Sequence, residues 1–594
     1  MAVLRWVSTS QGAHYASPMD FFQDAPELTD TWTADPALRA HLERLLPDDV
    51  LSRVGPGLAE LGVAAATSLQ ALGERAESEQ PRVEHYDPWG RRIDQIVVSD
   101  AWNALHGEQA RLGLAAIPYD GDHGEHARLV QLAVQHLYGP SSAVYSCPVS
   151  MTDAAVRVLL DSAEPELRDR VVPKLTSRAA DAWTSGQWMT EKPGGSDVAR
   201  TETVARPLPD GGYALTGVKW FTSATTADCA LALARTLDAD GNGVAGSRGL
   251  GLYLVEMVDP RDGRRQIGDT IRVRRLKDKL GTKALPTAEL DLDGAYATPV
   301  GPPHRGVKTI SGMLSITRLW NAMSSASGLA RAVQLALSYA TRREVFGKPL
   351  VEQPLHRVTL AELQVDYEAT LALVVRASQL TGRVEAGVAS EADAQVLRAL
   401  MPVTKLFTAK YAVAGASEAL EAFGGAGYIE NTGLPALLRN AQVLSIWEGT
   451  TNVLSLDLLR AAVREHALAP LLADVAERMA GADVPELAES VRLVASQAQS
   501  LGAAAAAWAD AGQDAVEAGM RAFAMRVGTV YTAALLLEHA AHRLAKHDDA
   551  AAAVANRWVR RELGGPEDVS PDPTRLRQAD VILQAPLATI GGTA

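Results

Sequence analysis

The hydrophobic period of this chain changes twice, and those changes restrict its fold more than any other feature. From about residue 36 to 180, apolar side chains recur at three to four residues, as in Leu38, Leu42 and Leu45–Leu46, or Met151, Ala155, Val158 and Leu159. The turns Gly90-Arg91-Arg92 and Tyr119-Asp120-Gly121-Asp122 read as connections between helices. Between about 186 and 300 the pattern is that of strands. Tyr213 to Thr222 is aromatic and β-branched, Leu252 to Val255 and Ala288 to Leu292 are short apolar runs, and Asp240-Gly241-Asn242-Gly243 is a strong turn signal. Helical spacing returns after Gly306 and runs to about 465, interrupted by the Gly-rich Phe423–Tyr428. An Ala-rich helical stretch follows, broken by Pro566, Pro571 and Pro573. The order predicts a mainly α protein with a β-domain insert. Its expected parts are a polar arm at 1–35, a helical domain at 36–185, a β-domain at 186–304, a helical bundle at 305–465 and a helical extension at 466–594. At 594 residues the chain is too long for one core, so several domains are expected in any case.

The composition excludes some classes of function. A net charge of −14 opposes broad attachment to nucleic acid. Residues 461–594 hold 12 Lys and Arg against 17 Asp and Glu, so only folding could gather a basic patch there, from Arg557, Arg560, Arg561, Arg575 and Arg577. Two cysteines, Cys147 and Cys229, are too few for a disulfide framework or a thiolate metal site, and both read as small core residues. No apolar run approaches the ~18–20 residues of a membrane span, and the amino terminus turns polar too early for a secretory signal. A reducing cytoplasm is the expected compartment, and no metal is expected.

Five segments carry chemistry. In Ile446-Trp447-Glu448-Gly449-Thr450-Thr451-Asn452, one carboxylate sits between an indole and a glycine. An apolar neighbour can raise its pKa towards the range of a general base. In Met189-Thr190-Glu191-Lys192-Pro193-Gly194-Gly195-Ser196-Asp197, glycines free backbone N–H groups for carbonyl or phosphate oxygens, or simply make a tight helix–strand connection. Trp220-Phe221-Thr222-Ser223 offers rings and hydroxyls to a flat ligand, or ends a strand in the core. Arg342-Arg343 ahead of Phe346-Gly347 either clamps a pyrophosphate or forms a solvated face. Gly424-Gly425-Ala426-Gly427 has no preceding strand, which argues against a Rossmann turn.

Together, in identity, order and spacing, these segments resemble the acyl-CoA dehydrogenase flavoprotein family over residues 86 to about 465. Tyr86 to Asp94, Arg275 to Gly281, Phe346 to Leu355, Ile446 to Arg460 and the carboxyl-terminal extension are similar to its AidB-like branch, which is linked to the bacterial alkylation response. The resemblance implies a helical domain, a β-barrel domain and a helical bundle, with FAD between the last two. It implies that Met189, Thr190, Ser196, Trp220 and Thr222 surround the flavin ring. Arg343, Phe346, Gly424 and Gly425 would reach the FAD of an adjacent subunit, and Thr450 and Asn452 would contact its adenosine diphosphate portion. A dimer or dimer of dimers follows, because two subunits build each site. Glu448 aligns with the base that takes an α-proton while hydride passes to flavin N5, and Arg318 with an arginine that tunes it or makes a packing ion pair.

Two departures qualify the substrate. The Phe-Asp pair that often contacts CoA corresponds here to Leu314 and Ser315, and a common FAD-binding Gln is replaced by Pro354 beside Gln353. The expected function is that of an FAD-dependent oxidoreductase of acyl-CoA dehydrogenase type, its acyl group unspecified. The alternatives are a flavin-bearing, DNA-associated protein of the alkylation response with little turnover, which the acidic extension opposes, and flavin oxidation of a non-CoA substrate such as a nitroalkane or an amine-like molecule, where Asp is the usual base for nitroalkanes.

Overall fold

A computed structural model describes residues 24–565 and 570–590. Most of the expected amino-terminal arm, and Pro566, lie outside the described residues. Helices α1 (Pro36–Leu45), α2 (Asp48–Ala66) and α3 (Ser68–Ser78) open the fold. Asp35 caps α1 by accepting the Leu38 N–H. The chain then departs from the expected all-helical reading. β1 (Arg82–Tyr86) and β2 (Arg92–Val97) form an antiparallel hairpin with Gly90, at φ +82°, in its turn. Gly90-Arg91-Arg92 therefore turns a hairpin and does not join helices. The strands are too short for their period to stand out, and the buried Asp94 explains why they form here. Its carboxylate takes Arg92 Nε at 2.8 Å and the Val273 N–H at 2.8 Å, and lies 2.6 Å from His85 Nδ1. The hairpin is thereby tied to the β-domain. α4 (Asp100–Leu112), α5 (Ala127–Tyr138), α6 (Ser146–Ser162) and α7 (Pro165–Leu175) complete the first helical region.

Strands β3 (Ser185–Trp188), β4 (Val204–Pro207), β5 (Tyr213–Ser223), β6 (Cys229–Thr236), β7 (Leu250–Glu256), β8 (Ile271–Leu276) and β9 (Thr287–Pro299) fill the expected β-rich stretch. The sheet runs β3-β6-β4-β5-β9-β7, and a further β6–β7 pairing closes it into a barrel, with β8 along β9. Strands β6 and β7 are buried on both faces because alternate residues serve two cores. Ala230, Ala232, Ala234, Tyr253 and Val255 fill the barrel, while Cys229, Leu231, Leu233, Leu252 and Leu254 belong to the main helical core. Cys147 is buried in that core too, so both thiols are the packing residues expected.

The bundle is built on three long helices, α8 (Gly306–Arg342), α9 (Pro354–Glu385) and α10 (Glu391–Ala422). A short hairpin, β10 (Glu344–Val345) and β11 (Lys348–Pro349), joins the first two. Ser390 and Asp393 form a reciprocal capping box at the start of α10. α11 (Pro435–Leu444) and α12 (Thr451–Arg464) follow, then the extension α13 (Leu468–Gly481), α14 (Ala488–Ala506), α15 (Gln513–Leu544), α16 (Ala550–Leu563) and α17 (Pro573–Ile590). Ion pairs tie the extension to the bundle: Arg557 and Arg561 both hold Glu362, and Arg561 also holds Asp366.

Candidate active site

Glu448 occupies the tight link between α11 and α12. Its backbone is at φ +59° and is followed by Gly449 at φ +106°. A non-glycine residue in this left-handed region is strained, so the surroundings must hold it there. Two bonds to successive carbonyls do so. Arg318 Nε donates to the Glu448 carbonyl at 3.3 Å, and Lys405 Nζ donates to the Gly449 carbonyl at 2.6 Å. The carboxylate itself accepts the Thr317 hydroxyl at 2.6 Å. Burial raises the Glu448 pKa above the usual carboxylate range. Thr317, Arg318, Lys405 and the Gln187 side chain pull the other way without reversing the shift. The residue as a whole is partly exposed, but its carboxyl lies in the interior.

Arg318 serves two purposes. Besides the Glu448 carbonyl, its guanidinium holds Asp457 of α12 at 2.7 Å, and Asp457 also takes Arg398 at 2.8 Å. Thr317, Lys405, Gln187 and Asp457 were not singled out from the sequence. Lys405 did carry a signal, since it is the one charged residue in the apolar run Met401 to Phe407 of a buried helix.

The β-domain meets this group through the end of β3. Gln187 reaches the Glu448 carboxylate, its Nε2 lies 2.9 Å from Met189 Sδ, and its buried Oε1 has no partner within the chain. Thr190 is joined to the neighbouring strand by its carbonyl, which accepts the Trp220 N–H at 3.0 Å. The Trp220 ring lies 3.5 Å from the Lys277 ammonium. Ser196 is exposed in the Gly-rich loop. Thr222 is fully buried and its hydroxyl donates to the Ala288 carbonyl at 2.9 Å, which leaves its oxygen able to accept. Half-exposed Phe221 next to it is the accessible ring at this strand end.

Glu191 of the same motif is structural. It is buried, takes Lys219 Nζ at 2.6 Å and accepts the N–H groups of Glu202 and Thr203, while Lys219 also donates to the Leu233 carbonyl. Burial works to raise the Glu191 pKa, but the Lys219 ammonium and these donors outweigh it and hold the carboxyl below its ordinary value.

Arg343, Phe346, Gly424 and Gly425 lie elsewhere. Tyr339, near the end of α8, packs edge-on against Phe423 at the end of α10, which puts the β10–β11 hairpin and the Gly-rich turn at one end of the bundle. Thr317 is six helical turns away on α8, roughly 33 Å at 1.5 Å per residue. One chain therefore does not bring these residues to Glu448. Phe346 is 98% exposed at the hairpin tip, and Tyr428 beside the Gly-rich turn is 87% exposed. Thr450 and Asn452 begin α12 next to Glu448. Thr450 makes no capping bond, and Asn452 accepts from Arg521 of the extension at 3.3 Å.

These features suit a flavin nucleotide. The unpartnered Gln187 oxygen lies beside the base, and the uncapped start of α12 offers N–H groups suited to a phosphate. A side chain at Gly425 would meet nothing within 4 Å, and its φ does not demand glycine, so the fold alone gives no reason for its bareness. A ligand or second subunit lying close would supply one.

Family models match nearly the whole described chain. They are the AidB N-terminal domain at residues 24–182, the acyl-CoA dehydrogenase middle domain at 186–295, the acyl-CoA dehydrogenase C-terminal domain at 304–463, and an acyl-CoA dehydrogenase 11 C-terminal domain-like unit at 466–570. The chain is 42% identical over 538 residues to acyl-CoA dehydrogenase family member 11 of Caenorhabditis elegans, covering 89% of this chain and 86% of that one. It is 33% identical to the putative acyl-CoA dehydrogenase AidB of Escherichia coli, over 73% of this chain and 80% of that one. The crystal structure of C. elegans ACDH-11 in complex with C11-CoA superposes with a TM-score of 0.89 at 40% identity, covering 94% and 95% of the two chains. Fold and relatives agree: the chain is an acyl-CoA dehydrogenase-like enzyme of the AidB-like branch of the acyl-CoA dehydrogenase family, and its cofactor is FAD.

Proposed function

We propose that the protein oxidises a CoA thioester, with Glu448 removing the α-proton. The observation that carries this reading is the buried Glu448 carboxyl, on a residue held at positive φ and with its pKa raised by burial. A carboxylate whose proton affinity is raised by burial is a stronger base than an exposed one, and so better suited to take the α-proton. When bound, FAD would supply the acceptor for the hydride of the β-carbon, so that loss of the α-proton and of that hydride would leave an α,β double bond. The Thr317 hydroxyl fixes the carboxylate's direction and Arg318 fixes its backbone, so Arg318 acts as a positioning residue. Met189, Thr190, Ser196, Trp220 and Thr222 would hold the flavin ring, and Thr450 and Asn452 the nucleotide portion.

Leu314 and Ser315 lack the usual CoA-contacting pair, yet the C. elegans relative was solved with C11-CoA, which supports a thioester here too. The exposed Phe346 and bare Gly425, some 33 Å along α8 from the base, support a dimer or dimer of dimers in which they and Arg343 serve a neighbour's FAD. Two of the five extension arginines that could have formed a DNA platform, Arg557 and Arg561, are held by Glu362 and Asp366, which favours the enzyme.

The test is anaerobic titration of the FAD-loaded protein with acyl-CoAs of graded chain length. Bleaching of the flavin by a subset, abolished in Glu448→Gln, is the expected result. No bleaching with any thioester, or undiminished bleaching in Glu448→Gln, refutes the assignment.

A further inference from the structure

Lys405 is fully buried on α10, inside an apolar run, where an ammonium is costly to place. Its Nζ donates to the Gly449 carbonyl, one residue past the candidate base. Among the described residues no carboxylate lies within ion-pair distance of it, whereas its neighbour Arg318 is already matched by Asp457. The charged and titratable groups around this spot are few. From α8 comes Arg318, from α10 Lys405 itself and Lys410, from α12 Asp457 by way of Arg318, and from α6 the Cys147 thiol. Glu448 is the one group among them whose charge favours the ammonium.

We infer that Lys405 is a positioning residue for the Glu448 reaction: it anchors the Glu448–Gly449 turn through the Gly449 carbonyl and supplies the cation against which the carboxylate ionises. The assignment rests on Glu448 being the base. Burial brings Lys405 down to about 7, with Arg318 and Lys410 adding to that direction and Glu448 opposing it. Burial shifts Glu448 the other way, upwards, so the ionisation of each group depends on that of the other. An ionised Glu448 keeps the proton on Lys405, and a protonated Lys405 makes Glu448 easier to ionise. Arg318 acts on Glu448 in the same direction but has Asp457 as a counter-ion, so Lys405 is the cation of the two with no carboxylate paired to it.

The test is the pH profile of flavin reduction by a reactive acyl-CoA in the FAD-loaded wild type, Lys405→Met, Lys405→Arg and Glu448→Gln. Lys405→Met should move the acid limb of kcat/KM up by about one pH unit, and Lys405→Arg should leave it near its wild-type position. If Lys405→Met does not retain FAD, Lys405→Gln removes the charge while keeping a donor. A second readout does not depend on turnover. Below pH 7 the wild type carries the full cost of the buried ammonium, and this fades as pH rises towards 10.5. The thermal midpoint of Lys405→Met minus that of wild type should therefore be larger at pH 6 than at pH 10. An unmoved acid limb, or a difference in midpoint that is flat with pH, overturns the assignment of Lys405 while an inert Glu448→Gln preserves that of Glu448. A Glu448→Gln protein that still turns over removes both.

Discussion

Replacing Glu191 tests whether the Gly-rich motif is held by a buried ion pair and does no chemistry of its own. Glu191 is 3% exposed and Lys219 is fully buried, so solvent screens their contact little. In Glu191→Ala the Lys219 ammonium keeps only the Leu233 carbonyl as a partner, and the N–H groups of Glu202 and Thr203 lose their acceptor. Breaking a buried pair by removing one partner costs about 3–5 kcal/mol. For a unit the size of this β-domain that corresponds to a fall in melting temperature of roughly 10 °C or more. Lys219→Met leaves the carboxylate without its cation but with its N–H donors, so it should cost less.

The double variant Glu191→Ala/Lys219→Met should fall short of the sum by about 2 kcal/mol, because the second change removes the stranded charge created by the first. Calorimetry of the four proteins measures each corner of the cycle. Its pH dependence has a definite sign. The folded Glu191 pKa is depressed, so its contribution is full above the unfolded value near 4.5 and is lost as pH falls through the lower folded value. The contrast between wild type and Glu191→Ala should thus shrink in acid, and again in alkali, where the stranded Lys219, its pKa lowered by burial, gives up its proton. A loss below about 1 kcal/mol, or additive costs, would refute the reasoning.

Four further outcomes follow from the same contacts. Thr317→Val removes a donor that lowers the Glu448 pKa, so kcat/KM at pH 6 should drop about tenfold and recover at alkaline pH, as a pH profile would show. Gly425→Leu meets no neighbour within the chain, so melting should change little while the dissociation constant for FAD rises about tenfold or more by fluorescence titration. Phe346→Asp, at an exposed hairpin tip, should shift the assembly to a smaller species in sedimentation analysis. Glu448→Gly relieves a positive φ and should be more stable than Glu448→Val, by about 1 kcal/mol or more in thermal unfolding, although both are inactive.

The α–β–α order was legible because each segment is long enough for its period to show, and β3 to β9 lie where the aromatic and β-branched runs stand. The hairpin β1–β2 was not, since five or six residues with half-exposed alternation look like any polar stretch. What makes it a hairpin is Asp94 bonding to Val273, a partner 179 residues away that no local pattern contains. The orientation of Thr222 was hidden for a related reason. The sequence shows a hydroxyl at the strand end, but not that it bonds the Ala288 carbonyl beside a register irregularity between Lys219 and Thr222. Glu448 could be picked out from its neighbours, whereas Thr317, Gln187 and Lys405 come from three other elements and meet it only in the folded chain.

The Glu448 turn breaks a local rule, and the means of holding it explain the conflict. A glycine at 448 would adopt φ +59° without strain, yet it would carry no carboxylate. The chain keeps the acid and offsets about 1–3 kcal/mol of backbone strain with charge-assisted bonds from Arg318 and Lys405 to the two carbonyls of the turn. Those cations also act on the carboxylate, so the groups that hold the backbone in its unfavourable form also oppose the rise in pKa that burial imposes. Conformation and proton affinity at Glu448 are therefore set by shared residues. Changing either cation moves both properties together, and this coupling is what a pH profile and a melting curve, measured on the same variant, can read.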